Sequence, residues 1–301
     1  MNPSVPALEV ERLTKSYGHA RGVVDLTFSV ERGEVFGYLG PNGAGKTTTI
    51  RTLLDFIRPT GGRASILGLD SRRDAIEIHR RVGYLPGEFG LYERLTAHEQ
   101  LTYLSSLRGG DDERSIRELA ERLDLDLDVR ISSLSHGNKQ KVGLIQAFVH
   151  RPDVLILDEP TQGLDPLMQQ AFYRLLHEVR ERGGTVFLSS HVMPEVEHVC
   201  DRVGIIREGR LVTVDDVGDL KSKALRSVIF HFADPVDASM FVPLPSVVHA
   251  EQRGDAVAIT VQGELDEVVK EAARHTVINV ETREPSLEEI FLRAYRDGDE
   301  T

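Results

Sequence analysis

The segment Gly40-Pro41-Asn42-Gly43-Ala44-Gly45-Lys46-Thr47-Thr48 constrains the fold of this chain more than any other. Its glycines let the backbone turn tightly and aim several N–H groups at one point. The apolar run Val35-Phe36-Gly37-Tyr38-Leu39 precedes it, and a helical pattern over residues 46–56 follows and stops near Pro59. Strand, glycine loop and helix make one α/β unit, with the positive end of the helix dipole adding to the loop's field. The loop reads G-x-x-x-x-G-K-[ST], a cradle for nucleotide phosphates. In such a loop Lys46 reaches the β- and γ-phosphates and the Thr47 hydroxyl coordinates Mg²⁺. Residues 40–48 are the expected nucleotide contacts.

A second apolar run, Val154-Leu155-Ile156-Leu157, reads as a fully buried parallel strand and delivers Asp158 and Glu159 to the C-terminal edge of a sheet. Alone, an Asp-Glu pair is a solvated strand end. In a chain with a phosphate loop, Asp158 can hold Mg²⁺ through its water shell, and Glu159 can orient or deprotonate an attacking water.

The remaining pattern divides the chain. Residues 8–13, 26–30, 185–189 and 203–206 read as strands, 166–182 as a helix, and residues 91–151 as a helical insertion. Residues 1–220 are therefore expected to form one α/β nucleotide-binding domain with a helical subdomain. Charged residues weaken the pattern over 217–226, which reads as a linker. Residues 226–301 are expected to form a small α+β domain, with strands at 227–232, 256–261 and 277–282. Leu265, Val268, Val269 and Ala272 line one helix face, and a last helix over Leu287, Ile290, Phe291 and Ala294 is capped by Ser286 and Glu289. No catalytic constellation is found there.

Composition excludes some classes. The formal charge of -12 argues against a nucleic-acid partner. One cysteine, Cys200, permits no intrachain disulfide and reads as a small buried residue. No apolar run approaches the ~18–20 residues of a membrane span, and no signal-peptide pattern opens the chain. The chain is expected in the cytoplasm, doing any membrane work through a partner.

Five segments together resemble the ABC ATPases over about residues 5–215. Thr161-Gln162-Gly163-Leu164-Asp165 after Asp158-Glu159-Pro160 resembles the D-loop, and Leu134-Ser135-His136-Gly137-Asn138-Lys139-Gln140-Lys141 resembles the signature, usually L-S-G-G-Q. Ser189-Ser190-His191 is similar to the strand end carrying the switch histidine, and Tyr17 before Gly18 matches the aromatic residue that stacks on adenine. Residues 285–292 look like the ending of the bacterial drug-exporter branch.

The resemblance implies a motor subunit that binds and hydrolyses ATP, with Mg²⁺, in a head-to-tail dimer, more readily a homodimer. A separate transmembrane permease subunit would hold it on the inner face of the cell membrane. Ser135 and Gly137 would reach the partner's γ-phosphate, with His136, Asn138 and Asp165 in the same nucleotide contact set. Lys46, Glu159 and His191 would carry catalysis. The alternatives are a non-transport ABC ATPase with a soluble partner and a non-catalytic ATP-binding regulator; the intact Glu159 speaks against the second. Asn138-Lys139-Gln140-Lys141 lacks the Asp of the guanine-reading N-K-x-D motif.

Two departures from the family matter. His136 replaces a glycine, where its ring could crowd the partner's nucleotide or add a contact to it. Gly87, after Tyr84-Leu85-Pro86, replaces the glutamine that links the Mg²⁺ site to the membrane partner. This leaves Glu88 as a further candidate metal ligand.

Overall fold

Alternation of apolar residues sets the first two strands. Leu8 and Val10 are buried along β1 (Leu8–Tyr17), and Leu26, Phe28 and Val30 along β2 (Ala20–Val30). Arg12, in the left-handed region at φ 46°, shifts the register so that Leu13 rejoins the buried side. The computed structural model describes residues 5–18, 20–88, 90–110, 112–223 and 225–283. The chain divides into two compact units, Met1–Val214 and Asp215–Thr301.

In the first unit β3 (Val35–Leu39) leads through the glycine loop to α1 (Lys46–Leu53). That helix is three residues shorter than the pattern suggested, because Asp55 turns left-handed at φ 54° and Phe56 N–H bonds back to the Arg51 carbonyl. β4 (Gly61–Ile66) and β5 (Leu69–Asp70) complete an antiparallel sheet in the order β2-β1-β4-β5. After them come α2 (Ala75–Arg81), β6 (Val82–Leu85), α3 (Ala97–Leu107), α4 (Glu113–Arg122) and α5 (His136–Phe148). Next come β7 (Val154–Asp158), α6 (Pro166–Glu181), β8 (Thr185–Ser190), α7 (Met193–Val199), β9 (Arg202–Arg207) and β10 (Arg210–Asp216).

The second sheet runs β10-β9-β3-β8-β7-β6, with β9, β3, β8, β7 and β6 parallel. Every residue of β3, β7 and β8 is buried, as continuous apolar runs require. Phe28 from the antiparallel sheet stacks on Phe36 at 5.8 Å and on Phe187 at 6.2 Å, closing one core between the sheets. Burial of each such ring stabilises the fold by about 1.5–3 kcal/mol. The C-terminal ends of β3, β7 and β8 lie side by side, where parallel α/β sheets bind ligands.

The second unit opens with α8 (Val217–Lys223), not with the linker its charged sequence suggested. Asp216 caps it: its carboxylate accepts the N–H groups of Gly218 at 2.8 Å and Asp219 at 3.2 Å. Then follow β11 (Leu225–Phe232), β12 (Val247–Arg253), β13 (Ala256–Gln262), α9 (Asp266–Ala272) and β14 (Val277–Arg283). The sheet is wholly antiparallel in the order β12-β13-β11-β14. This is a β-α-β-β-α-β plan whose first helix has shrunk to a 3-10 turn at Ala238–Met240. Phe230, Phe232 and Phe241 stack at the centre of its core. The helix expected over Leu287 to Ala294, its Ser286/Glu289 cap and the exporter-like residues 285–292 lie outside the described residues.

Candidate active site

The glycine loop works because Gly45 takes φ 111° directly before α1, a conformation that disfavours any side chain. A Cβ at Gly45 would also fall 2.7 Å from Val23 Cγ1, so the β1–β2 hairpin packs hard against the loop. The N–H groups of the first turn of α1 have no intrahelical partner and point into the loop's concavity. Lys46 heads that turn and is only 6% exposed. Its ammonium donates to the carbonyls of Gly40 at 2.6 Å and Pro41 at 3.3 Å and lies 3.1 Å from Glu159 Oε1.

β7 brings the two carboxylates to this loop. Asp158 is 1% exposed and fully occupied: Thr47 donates to Oδ2 at 2.7 Å and Ser189 to Oδ1 at 2.5 Å. Glu159, next in the chain, adopts φ 53°. A non-glycine residue there costs on the order of 1–3 kcal/mol, and such strain clusters at working sites. The strained backbone is held by its N–H, which donates to the Ser189 carbonyl at 3.1 Å. Glu159 Oε2 accepts from His191 Nδ1 at 2.7 Å, so that nitrogen carries the hydrogen. Oε1 is buried and, beside the Lys46 ammonium, accepts no well-formed hydrogen bond. Lys46, Thr47, Asp158, Glu159 and His191 thus meet at one point.

The loop after β6 reaches the same carboxylates. A Cβ at Gly87 would lie 3.4 Å from Asp158 Oδ2, an ordinary contact. Burial, and then the charge of Asp158, push the Tyr84 phenol up to about 12. Glu88 is exposed, and among the described residues no three His, Cys, Asp or Glu side chains cluster as a metal site. Thr47 and Asp158 nevertheless present hard oxygen donors 2.7 Å apart, the chemistry that suits Mg²⁺.

The signature segment forms the head of α5. Ser135 caps that helix, its hydroxyl accepting the Asn138 N–H at 3.2 Å, and His136, Gly137 and Asn138 make the first turn. The His136 ring leans on its own chain: a Cβ at Gly163 would fall 2.6 Å from His136 Cδ2. Asp165 caps α6, accepting from Leu167 and Met168 N–H at 3.0 Å each. Tyr17, at the end of β1, is 46% exposed with the Lys15 ammonium 5.0 Å from its ring centre.

Two residues of the site escaped the sequence reading in their roles. Gln140 is buried and donates to the carbonyls of Pro160 at 3.1 Å and Glu159 at 3.4 Å, fixing α5 to the carboxylate loop. Ser189 holds Asp158. Their partners lie on distant segments, so no local spacing announces them.

A family model described as ABC transporter matches residues 23–162. The bacitracin transport ATP-binding protein BcrA of Bacillus licheniformis is 36% identical over 295 residues, covering 95% of this chain and 96% of that protein. The linearmycin resistance ATP-binding protein LnrL of Bacillus subtilis strain 168 is 31% identical over 301 residues, covering 95% and 97%. A solved ATP-binding subunit of an ABC transporter superposes with a TM-score of 0.67 at 33% identity, over 71% of this chain and 92% of that one.

Proposed function

The chain belongs to the family of ABC transporter ATP-binding proteins, and on that premise we propose that it is the ATP-hydrolysing motor of a drug exporter. The observation that carries the reading is the convergence on Glu159, with Lys46 at 3.1 Å from one oxygen and His191 at 2.7 Å from the other. Water attacks the γ-phosphorus in line, and Glu159 orients it or accepts its proton. His191 fixes the carboxylate through Nδ1–H and faces the γ-phosphate. Lys46 and the loop N–H groups stabilise the charge that develops on the phosphate oxygens. A bound Mg²⁺ would supply neutralisation of phosphate charge. Thr47 and Asp158 would hold it, and Glu88 is the candidate carboxylate from the loop after β6.

Tyr17 stacks on the adenine. A second copy of the chain contributes Ser135, His136, Gly137 and Asn138 to the same nucleotide, with Asp165 behind them. The motion passes to a separate membrane permease on the inner face of the membrane. Among the described residues no helix is long and apolar enough to cross a membrane. The names of the bacitracin and linearmycin relatives support an antibiotic-like cargo, and the charge of -12 supports a partner other than nucleic acid. Turnover tests the proposal. The protein should release phosphate from MgATP, and Glu159→Gln should cut turnover about 10²-fold or more with ATP binding nearly intact. The variant should elute as an ATP-dependent dimer on a sizing column. Near-normal turnover removes Glu159 from the chemistry, and a monomer at saturating ATP removes the sandwich.

A further inference from the structure

Glu195 is the third residue of α7 and is only 4% exposed. A buried carboxylate is costly unless paired or hydrogen-bonded. Among the described residues no cation lies within salt-bridge distance of this one, and the groups that face it are hydroxyls. Ser190 donates to Oε2 at 2.6 Å, and the same Ser190 oxygen accepts the Val192 N–H at 2.9 Å. The other oxygen, Oε1, is buried without a well-formed hydrogen bond, with the Thr161 hydroxyl close by on the loop that follows Glu159. Burial holds the carboxyl above the usual carboxylate range, and the Ser190 and Thr161 hydroxyls oppose that shift. Packing alone does not explain an acid here, since Val196 beside it is fully buried and a leucine would supply the same bulk.

Ser190 is the hinge of the arrangement. It immediately precedes His191, and its carbonyl accepts the N–H of Gly40, the first glycine of the phosphate loop, at 3.2 Å. Its hydroxyl meanwhile is bound by Glu195. One residue therefore couples the phosphate loop, the switch histidine and the buried acid. Glu195 also lines a cleft of about 500 Å³ together with Glu159, Thr161, Tyr173 and His191.

We infer that Glu195 is a positioning residue for hydrolysis, a buried carboxylate that ties the strand end carrying His191 to the loop following Glu159. It acts through Ser190 and Thr161. The inference rests on the assignment of ATP hydrolysis to this site.

Full-length protein carrying Glu195→Leu, Glu195→Gln or Ser190→Ala tests it, with melting temperature recorded for each. Glu195→Leu keeps the bulk and loses the acceptor, so kcat should fall about 10-fold or more while KM for MgATP stays within about 2-fold. Glu195→Gln still offers an oxygen to Ser190 and should retain kcat to within about 3-fold. Ser190→Ala removes the same bond from the other side and leaves Glu195 in place, at the cost of the acceptor for the Val192 N–H. It should reproduce the kcat loss, and the double variant Glu195→Leu/Ser190→Ala should lose no more than either alone. Wild-type kcat in Glu195→Leu or Ser190→Ala overturns the inference, as does a loss confined to KM or an additive double variant. An inactive wild-type protein would instead overturn the assignment of hydrolysis.

Discussion

The two units of this chain bury different kinds of side chain. The first buries Lys46, Gln140, Lys141, Asp158, Ser189, Ser190 and Glu195 along with its apolar core. The second, among its described residues, buries no polar or charged residue; its core is Val228, Phe230, Phe232, Phe241, Val257, Ile259 and their neighbours. Polar burial costs free energy unless partners are supplied, so it persists where it does something that apolar packing cannot. In the first unit Lys46, Gln140, Asp158, Ser189, Ser190 and Glu195 gather around the ends of β3, β7 and β8, while others such as Gln100, Ser105 and Lys141 serve the helical part. Among the described residues of the second, charged groups pair at the surface, as His231 does with Glu281 and Lys270 with Asp266.

That contrast can be broken in three ways. The largest effect is expected at Tyr17. If nucleotide recognition belongs to the first unit, Tyr17→Ala should weaken ATP binding about 5- to 150-fold, the worth of about 1–3 kcal/mol of base stacking, and Tyr17→Trp should preserve it. Titration of a fluorescent ATP analogue checks this, and equal affinities for all three proteins would place the adenine elsewhere.

The next effect is acid sensitivity. His150 lies against the Arg108 guanidinium, which donates to its Nε2 at 2.7 Å. Burial first, and then the Arg108 charge, push the imidazole down to about 4. The folded state therefore refuses a proton that the unfolded chain binds near 6.5, so this contribution is full above about pH 6.5 and is lost as pH falls towards 4. The span corresponds to about 3 kcal/mol at most, and nearer 1–2 kcal/mol once partial exposure is allowed for. Melting curves between pH 7 and 4 should show the transition of the first unit falling, and His150→Gln should flatten that fall. An unchanged slope in the variant would mean that other groups control acid stability.

The smallest effect tests separability. A chain ending at Asp216, the last residue of β10, should bind ATP within about two-fold of the full protein, because the candidate nucleotide contacts all lie between Tyr17 and His191. Loss of binding would mean that the units are not independent.

What could be read in advance follows from the same contrast. Residues 40–48, Asp158, Glu159 and His191 were legible because phosphate and metal chemistry fixes both residue type and local order. Gln140, Ser190 and Glu195 were not, since each is defined by a partner from another strand or loop. α8 was missed because its seven residues, VGDLKSK, carry only two large apolar side chains and so no repeated apolar spacing, and its start depends on one carboxylate, Asp216, capping Gly218 and Asp219. β12 was hidden by its mixed exposure, with His249, Glu251 and Arg253 on one face. The packing of the His136 ring beside Gly163 was equally hidden, because Gly163 lies on the loop after β7.

A side chain at Gly137 would strike the Gly163 carbonyl at 2.5 Å, and one at Gly163 would strike the His136 ring at 2.6 Å, with Gly163 already at φ 79°. The two loops proposed to face a second subunit therefore share a single clearance. Neither can acquire bulk without the other retreating. The histidine of this signature and the glycine of this loop are a fitted pair, and transplanting either loop alone into a relative would carry over half of it.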